Sequence, residues 1–326
     1  MLAYMVRRLI YAVPILIGVN LITFALFFMV NTPDDMARAQ LGAKQTTPEM
    51  IQAWKQSHGY DKPLFVNNES NGLDTVTETL FVQESLKLFM LDFGQADNGR
   101  QISEDIQERM WPSLAIALPT FLIGLVTNIA LALLIVLFRG SVLDTATMIV
   151  AVAIMSISGL FYIIAGQVLF SKMLHWVPIS GYESGWEMWR FLILPVAIGV
   201  FAGLGAGVRW YRSIFLEEIN KDYIRTARAK GLSEIRLLFG HLLQNGLLPI
   251  LTGVVVIIPT LFMGSLIMES FFGIPGLGSY TIDAINAQDF GIVKAMVFLG
   301  ALLYIIGLIL TDLSYAFFDP RVRFDQ

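Results

Sequence analysis

KDYIRTARAKGLSEIRLLFGHLLQNGLLP, running from Lys221 to Pro249, is polar and basic, yet it lies between two segments too apolar to live in water. Phe215, Ile219, Tyr223 and Ala227 recur every fourth residue through its start, while Lys221, Arg225 and Arg228 line another face. Gly231 stands where a left-handed helix cap would sit, and Ser233 with Glu234 offers the start of a new helix. The spacing predicts a helix, a glycine turn and a short helix, with one face to pack and one to meet charge. A basic loop held at the inner leaflet by its charge fits the same residues.

Outward from this stretch the chain is made for a bilayer. It is 56% hydrophobic and 15% charged over 326 residues, and its apolar residues are gathered into runs. A span needs about 20 apolar residues. Six segments qualify: Leu9 to Val30, Ser113 to Phe138, Thr145 to Phe170, Phe191 to Val208, Leu247 to Met268 and Ala295 to Thr311. The first exceeds the apolar core of a signal peptide and no small-residue cleavage site follows it, so it reads as a retained span. In the fourth, Gly199, Gly203 and Gly207 fall at i, i+4 and i+8, which predicts close approach of another helix. No ionisable residue lies inside the six runs; Glu269, Lys294 and Asp312 stand at their ends. That argues against a proton-coupled carrier.

Residues 31–111 differ in character. They hold thirteen acidic and seven basic residues, a net of −6, and are too long for a simple loop. Within them Val66 to Thr79 shows no apolar pattern, and no structure is expected there. Asn68-Glu69-Ser70 fits a glycosylation sequon without other support. Asp92-Phe93-Gly94 lacks the other parts of a kinase site, and the acids from Asp92 to Gly99 lack a calcium-loop register. Trp176, Tyr182, Trp186 and Trp189 crowd the connection after the third span, as rings do at a membrane interface; stacking on a substrate is the second reading.

Six spans put both termini on one side. With them go twelve of the 22 basic residues, in short segments, including Arg7, Arg8, Arg139 and the 221–249 stretch. Both termini are therefore expected in the cytoplasm and the acidic segment outside. The absence of cysteine excludes disulfides and thiolate chemistry. His58, His175 and His241 fall on different sides and cannot share a metal. No Gly-Lys-Ser/Thr phosphate loop is present, so energy must come from another chain.

Asp222-Tyr223-Ile224-Arg225-Thr226-Ala227-Arg228-Ala229-Lys230-Gly231-Leu232, with His241 ten residues after the glycine, closely resembles the cytoplasmic coupling loop of permease subunits in ATP-binding-cassette importers of the oligopeptide/dipeptide branch. The broader importer pattern, Glu-Ala-Ala, then Gly, then Ile-x-Leu-Pro, is met only at Ala227, Gly231 and Leu243. Glu269-Ser270-Phe271-Phe272-Gly273-Ile274-Pro275-Gly276-Leu277-Gly278 and the end Asp312-Leu313-Ser314-Tyr315 with Asp319-Pro320-Arg321 resemble the same permeases. So do Gly59-Tyr60-Asp61-Lys62-Pro63 and Leu91-Asp92-Phe93-Gly94 in the acidic segment.

The resemblance implies an all-α integral membrane protein of six transmembrane helices, like a type I importer permease, with an α-rich extracytoplasmic insertion after the first helix. The expected division is 1–30 for the cytoplasmic tip and first span, 31–111 for the outer domain, 112–316 for the remaining spans with coupling loop 213–246, and 317–326 for a cytoplasmic tail. The implied coupling residues are Asp222, Tyr223, Arg225, Thr226, Ala227, Arg228, Gly231, Leu232, Ile235, Arg236 and His241. Leu232, Ile235 and Leu238 would be buried by the partner, and Arg225, Arg228 and Arg236 would meet its acids. The implied partners are a second homologous permease, two ATPases and an extracytoplasmic substrate-binding protein in a bacterial inner membrane, with no nucleic acid. This chain would bind no cofactor or metal, ATP and Mg²⁺ residing on the ATPases. Peptides are the expected cargo. The same machinery also carries β-linked oligosaccharides or nickel complexes, and a channel or scaffold without an ATPase is the rival of another class.

Overall fold

In the computed structural model, which describes residues 2–42, 46–67 and 74–318, every regular element is helical apart from an isolated bridge between Gln95 and Gln101. In chain order these are α1 (Leu2–Phe24, prolonged by a π turn Ala25–Val30), α2 (Pro33–Leu41), α3 (Pro48–His58), α4 (Leu80–Phe89), α5 (Ile102–Leu137), α6 (Val142–Ser156), α7 (Gly159–Gly166, prolonged to Met173), α8 (Met188–Ile219), α9 (Asp222–Ala229), α10 (Glu234–Leu237, prolonged to Leu242), α11 (Leu243–Ile257), α12 (Leu266–Phe272), α13 (Leu277–Ala287) and α14 (Phe290–Phe318). The sequon Asn68–Ser70, the centre of the 66–79 stretch and the Asp319-Pro320-Arg321 ending with its tail lie outside the described residues. Asp74–Thr77 forms a single helical turn.

Among the described residues, four helices are long and apolar enough to cross a bilayer: Ile10–Val30, Ile102–Leu137, Gly185–Ile219 and Phe290–Ser314. Two more spans arise if each of two bent helix pairs is one crossing. The third apolar run is therefore not a straight helix, and the fifth begins at the second bend, where Glu234–Leu247 and Pro249–Met263 meet at 50°. Val142–Ser156 and Gly159–Met173 meet at 87°. Ile157 is extended there, Ser158 precedes the new helix, and the Tyr162 hydroxyl donates to the Ile154 carbonyl (2.8 Å), satisfying one acceptor released by the break. The fifth run, Leu247 to Met268, stops at Met263. Gly264 turns the chain at φ +67°, and Ser265 caps a separate helix by accepting the Met268 N–H. Hydropathy sums over both breaks because apolar residues flank them.

The chain forms two compact units, residues 1–109 with 280–305, and residues 110–279 with 306–326. In the first, Phe24, Phe28, Met36, Ile51, Trp54 and Leu80 make a core beneath the acidic segment. Threonines start its helices: Thr32 with Asp35 forms a capping box, and Thr47 and Thr79 accept the N–H of the third helical residue. Gly59 ends α3 at φ +72°. Helix α5 begins at Ile102 inside this segment; its 36 residues span about 54 Å, well beyond a bilayer core.

The last span also starts earlier than its apolar run, at Phe290, which brings Lys294 into it. Lys294 is buried and paired with Glu84, which also takes Lys87 at 3.0 Å. A charge inside a span, absent from the apolar runs, is thus present and neutralised.

In the second unit α6 packs on α8. The glycine stripe works differently from its spacing. A methyl on Gly199 would come 2.7 Å from Thr120 Cγ2, and one on Gly207 2.5 Å from Asn128, so both admit α5. Gly203 meets nothing within 4 Å, whereas Gly205 lies against the Ala151 carbonyl and Met155 of α6. The helix is contacted from two directions, so a single i, i+4, i+8 face does not describe it. Between α12 and α13 the chain folds around Glu269, which is fully buried. Its carboxylate takes the N–H of Ser265 (3.0 Å) and Ser279 (3.1 Å) and the Ser113 hydroxyl. Side chains at Gly264 or Gly276 would collide with that carboxylate.

Candidate coupling surface

The polar stretch keeps the helix, glycine turn and short helix that its spacing predicts, but the helix expected to run on through Phe215, Ile219, Tyr223 and Ala227 is interrupted at Asn220 and Lys221. Helix α8 ends at Ile219, α9 follows after a two-residue joint, Gly231 turns at φ +80°, and α10 begins at Glu234. Ser233 occupies the cap position without a side-chain cap bond. The Gly231 N–H donates to Arg228 O (2.9 Å) and the Leu232 N–H to Ala227 O (3.3 Å), closing the end of α9.

Beneath it lies an apolar base. Ile224 and Ala227 of α9, and Leu237, Leu238 and Leu242 beyond the turn, pack with Ala132, Leu133 and Val136 of α5, Phe215 and Ile219 of α8, and Ile250 of α11. Fully burying one such aliphatic side chain is worth about 1.5–3 kcal/mol. The polar stretch is therefore mounted on the ends of α5 and α8 and on the middle of α11. Gly246 of α11 makes room for the Phe215 ring, which a methyl there would meet at 2.6 Å.

Leu238, expected to face a partner, is buried in this base at 4% exposure, and Leu232 is half-buried against it. The turn at Gly231 sets the helix with Leu237, Leu238 and Leu242 inward. Ile235 stays out at 65% exposure, and Phe239, one turn later, joins it at 61%. Phe239 was legible as the i+4 neighbour of Ile235. Asp222, Arg225, Thr226, Gly231 and Arg236 are exposed as well, so the stretch presents both charges together with two apolar side chains.

Arg228 already has a partner within the stretch. Its guanidinium donates twice to Glu234, at 2.8 and 3.1 Å, across the turn, and this pairing raises its already high pKa. Arg225 stands 3.5 Å from Asp222, with both exposed, a pair worth little. Ala227 is buried; the Thr226 hydroxyl donates to the Asp222 carbonyl (3.0 Å), and the His241 carbonyl accepts from Asn245 (2.7 Å).

Residues 128–324 match the family of binding-protein-dependent transport system inner membrane components, and residues 1–86 match the N-terminal part of such membrane components. The chain belongs to this family. It is similar to a provisionally named peptide transport system permease protein of Brucella abortus, 33% identical across 100% of both chains. It is also similar to the di/tripeptide transport system permease protein of Pseudomonas aeruginosa, 31% identical over 99% of each chain, and to the oligopeptide transport system permease protein of Bacillus subtilis, 29% identical over 99% of this chain and 100% of that one. The permease is an inner membrane component of a transport system, with the all-α architecture of an importer permease, and a transport subunit in place of an enzyme. No group of three or more metal-ligating side chains occurs among the described residues.

One residue of the permease was missed in the sequence. Glu218, at 9% exposure, accepts the Tyr223 hydroxyl (2.5 Å) and Lys221 Nζ (2.6 Å). Burial first, then the Glu218 carboxylate, push the Tyr223 hydroxyl far above its usual pKa. An acid three residues before Lys221 on a helix was the available signal.

Proposed function

We propose that this permease forms half of the translocation path of an ATP-driven peptide importer, with Asp222 to Leu242 as the element that docks on a cytoplasmic ATPase. The observation that carries this reading is an exposed pair of apolar side chains, Ile235 and Phe239, in a stretch whose other exposed side chains include Arg225, Arg236 and Asp222, on a base buried against α5, α8 and α11. Apolar side chains presented together with both charges suit a protein groove better than a lipid surface. A force applied there reaches α5, α8 and α11 together.

Peptide as cargo is supported by relatives named for oligopeptides and di/tripeptides. The remaining assembly in this reading is a second permease of similar design, two ATPases and an extracytoplasmic binding protein that delivers cargo to the outer face. Both termini and the docking element lie in the cytoplasm and residues 31–111 outside, following the distribution of basic residues.

The test is coexpression with the neighbouring genes, gentle purification, and ATPase assay with the binding protein loaded with peptide or with chito-oligosaccharide. Copurifying ATPase stimulated by the peptide-loaded form is expected. Absence of any ATPase, or stimulation only by the sugar-loaded form, overturns the reading. Ile235→Asp combined with Phe239→Asp should weaken ATPase retention about tenfold or more, since both put charge at the apolar centre of the contact. Wild-type retention would remove this surface from the interface.

A further inference from the structure

We propose that Glu218 is a positioning residue that locks α9 to α8 and so converts displacement of the docking element into rotation of α8; this rests on the ATPase-docking reading above.

Helix α8 stops at Ile219 and α9 starts at Asp222, leaving Asn220 and Lys221 as a joint, with Lys221 extended (φ −72°, ψ 152°). Two such residues allow a hinge between the helices. The apolar contacts of Ile224 and Ala227 hold α9 down, but hydrophobic burial is non-directional and permits sliding and rotation. Hydrogen bonds are directional and do not.

The Glu218 carboxylate supplies them on both oxygens. Oε1 accepts the Tyr223 hydroxyl from α9, and Oε2 accepts Lys221 Nζ from the joint itself. The Lys221 N–H also donates to the Glu218 carbonyl (3.2 Å). Tyr223 extends the contact, because its ring packs on the apolar base that includes Ile250 of α11. One carboxylate thus bridges the joint, and the tyrosine it holds reaches a third helix. Both oxygens of a nearly buried carboxylate are held in this way, so the joint is stiff although the helix is interrupted there.

The test uses the full complex in lipid, with spin labels at exposed Ser213 on α8 and Ala229 on α9, and the binding protein carrying the cargo with which it copurifies. Wild type should give one narrow interlabel distance. Glu218→Ala should retain the ATPases, broaden that distance, and reduce binding-protein-stimulated ATP hydrolysis roughly fivefold. Glu218→Gln, which keeps the acceptor for Tyr223, should recover most of both. Tyr223→Phe should act in the same direction, and adding it to Glu218→Ala should cost little more, as for two members of one contact. If Glu218→Ala does not assemble, Tyr223→Phe decides, since it removes a single oxygen. A wild-type distance and full stimulation in the decisive variant, or additive losses in the pair, overturns the proposal. Failure of the wild-type chain to retain an ATPase strikes the docking reading instead, and the label distance in the isolated chain still reports whether Glu218 stiffens the joint.

Discussion

Gly231→Val should lower binding-protein-stimulated ATP hydrolysis by about 30-fold while leaving membrane insertion intact. The factor follows from a strain of roughly 2 kcal/mol for a β-branched residue in the left-handed region, carried through the equilibrium between formed and opened turn. Gly231 sits at φ +80°, yet a methyl built on it meets nothing within 4 Å. The loss therefore comes from the backbone and not from a clash. Relief of the strain opens the bonds from Gly231 and Leu232 back into α9, parts Arg228 from Glu234, and moves Ile235 and Phe239 away from α9. Gly231→Asn is the control, because asparagine tolerates this region and should lose far less. Equal damage from both variants would show that the side chain matters, through contact with the partner. No loss from valine would dismiss the turn as a coupling element.

Lys294→Met should destabilise the unit containing the outer segment by about 3 kcal/mol, read as a fall of roughly 6–12 °C in the unfolding midpoint of the purified chain. Lys294 is 7% exposed and its ammonium lies 5.4 Å from the Phe28 ring centre; removing it leaves Glu84 buried with Lys87 alone, whose side chain is half exposed. Breaking one half of a buried pair costs more than the pair contributes, because the remaining charge loses both its partner and its water. Glu84→Leu with Lys294→Met should therefore recover most of the loss. A double variant as unstable as the single one would mean that methionine fails to pack, and an unchanged midpoint for Lys294→Met would show that Lys87 alone neutralises Glu84.

The same chemistry explains where reading the sequence stopped. The basic stretch was legible because its signals are local: an apolar repeat, a glycine at the cap, a serine after it. Its internal pairing was not. Arg228 looks like a free cation until the turn brings Glu234 beside it, and Leu238 looks available until the helix ends beneath it are assembled. The glycines of the fourth span were recognised as a close-packing device, but Gly205 replaced Gly203 because two neighbouring helices, from different directions, decide which glycine is needed.

What the sequence determined by itself is whatever depends on solvent and on short range. Long uncharged runs demand a bilayer, their number sets the class, basic residues set the expected orientation, and the motif from Asp222 to Leu232 marks the family. What only the tertiary structure decided depends on partners far apart in the chain. Glu269 reads as a charge ending a span, but folding wraps Ser113, Ser265 and Ser279 around it and leaves room for no side chain at Gly264 or Gly276. The breaks in the third and fifth runs, the Glu84–Lys294 pair and the Glu218 joint are of the same kind. Hydrophobic transfer is additive along a sequence and can be summed from it, whereas satisfying a buried polar group needs a specific partner in a specific direction, and that partner is chosen only when the helices pack.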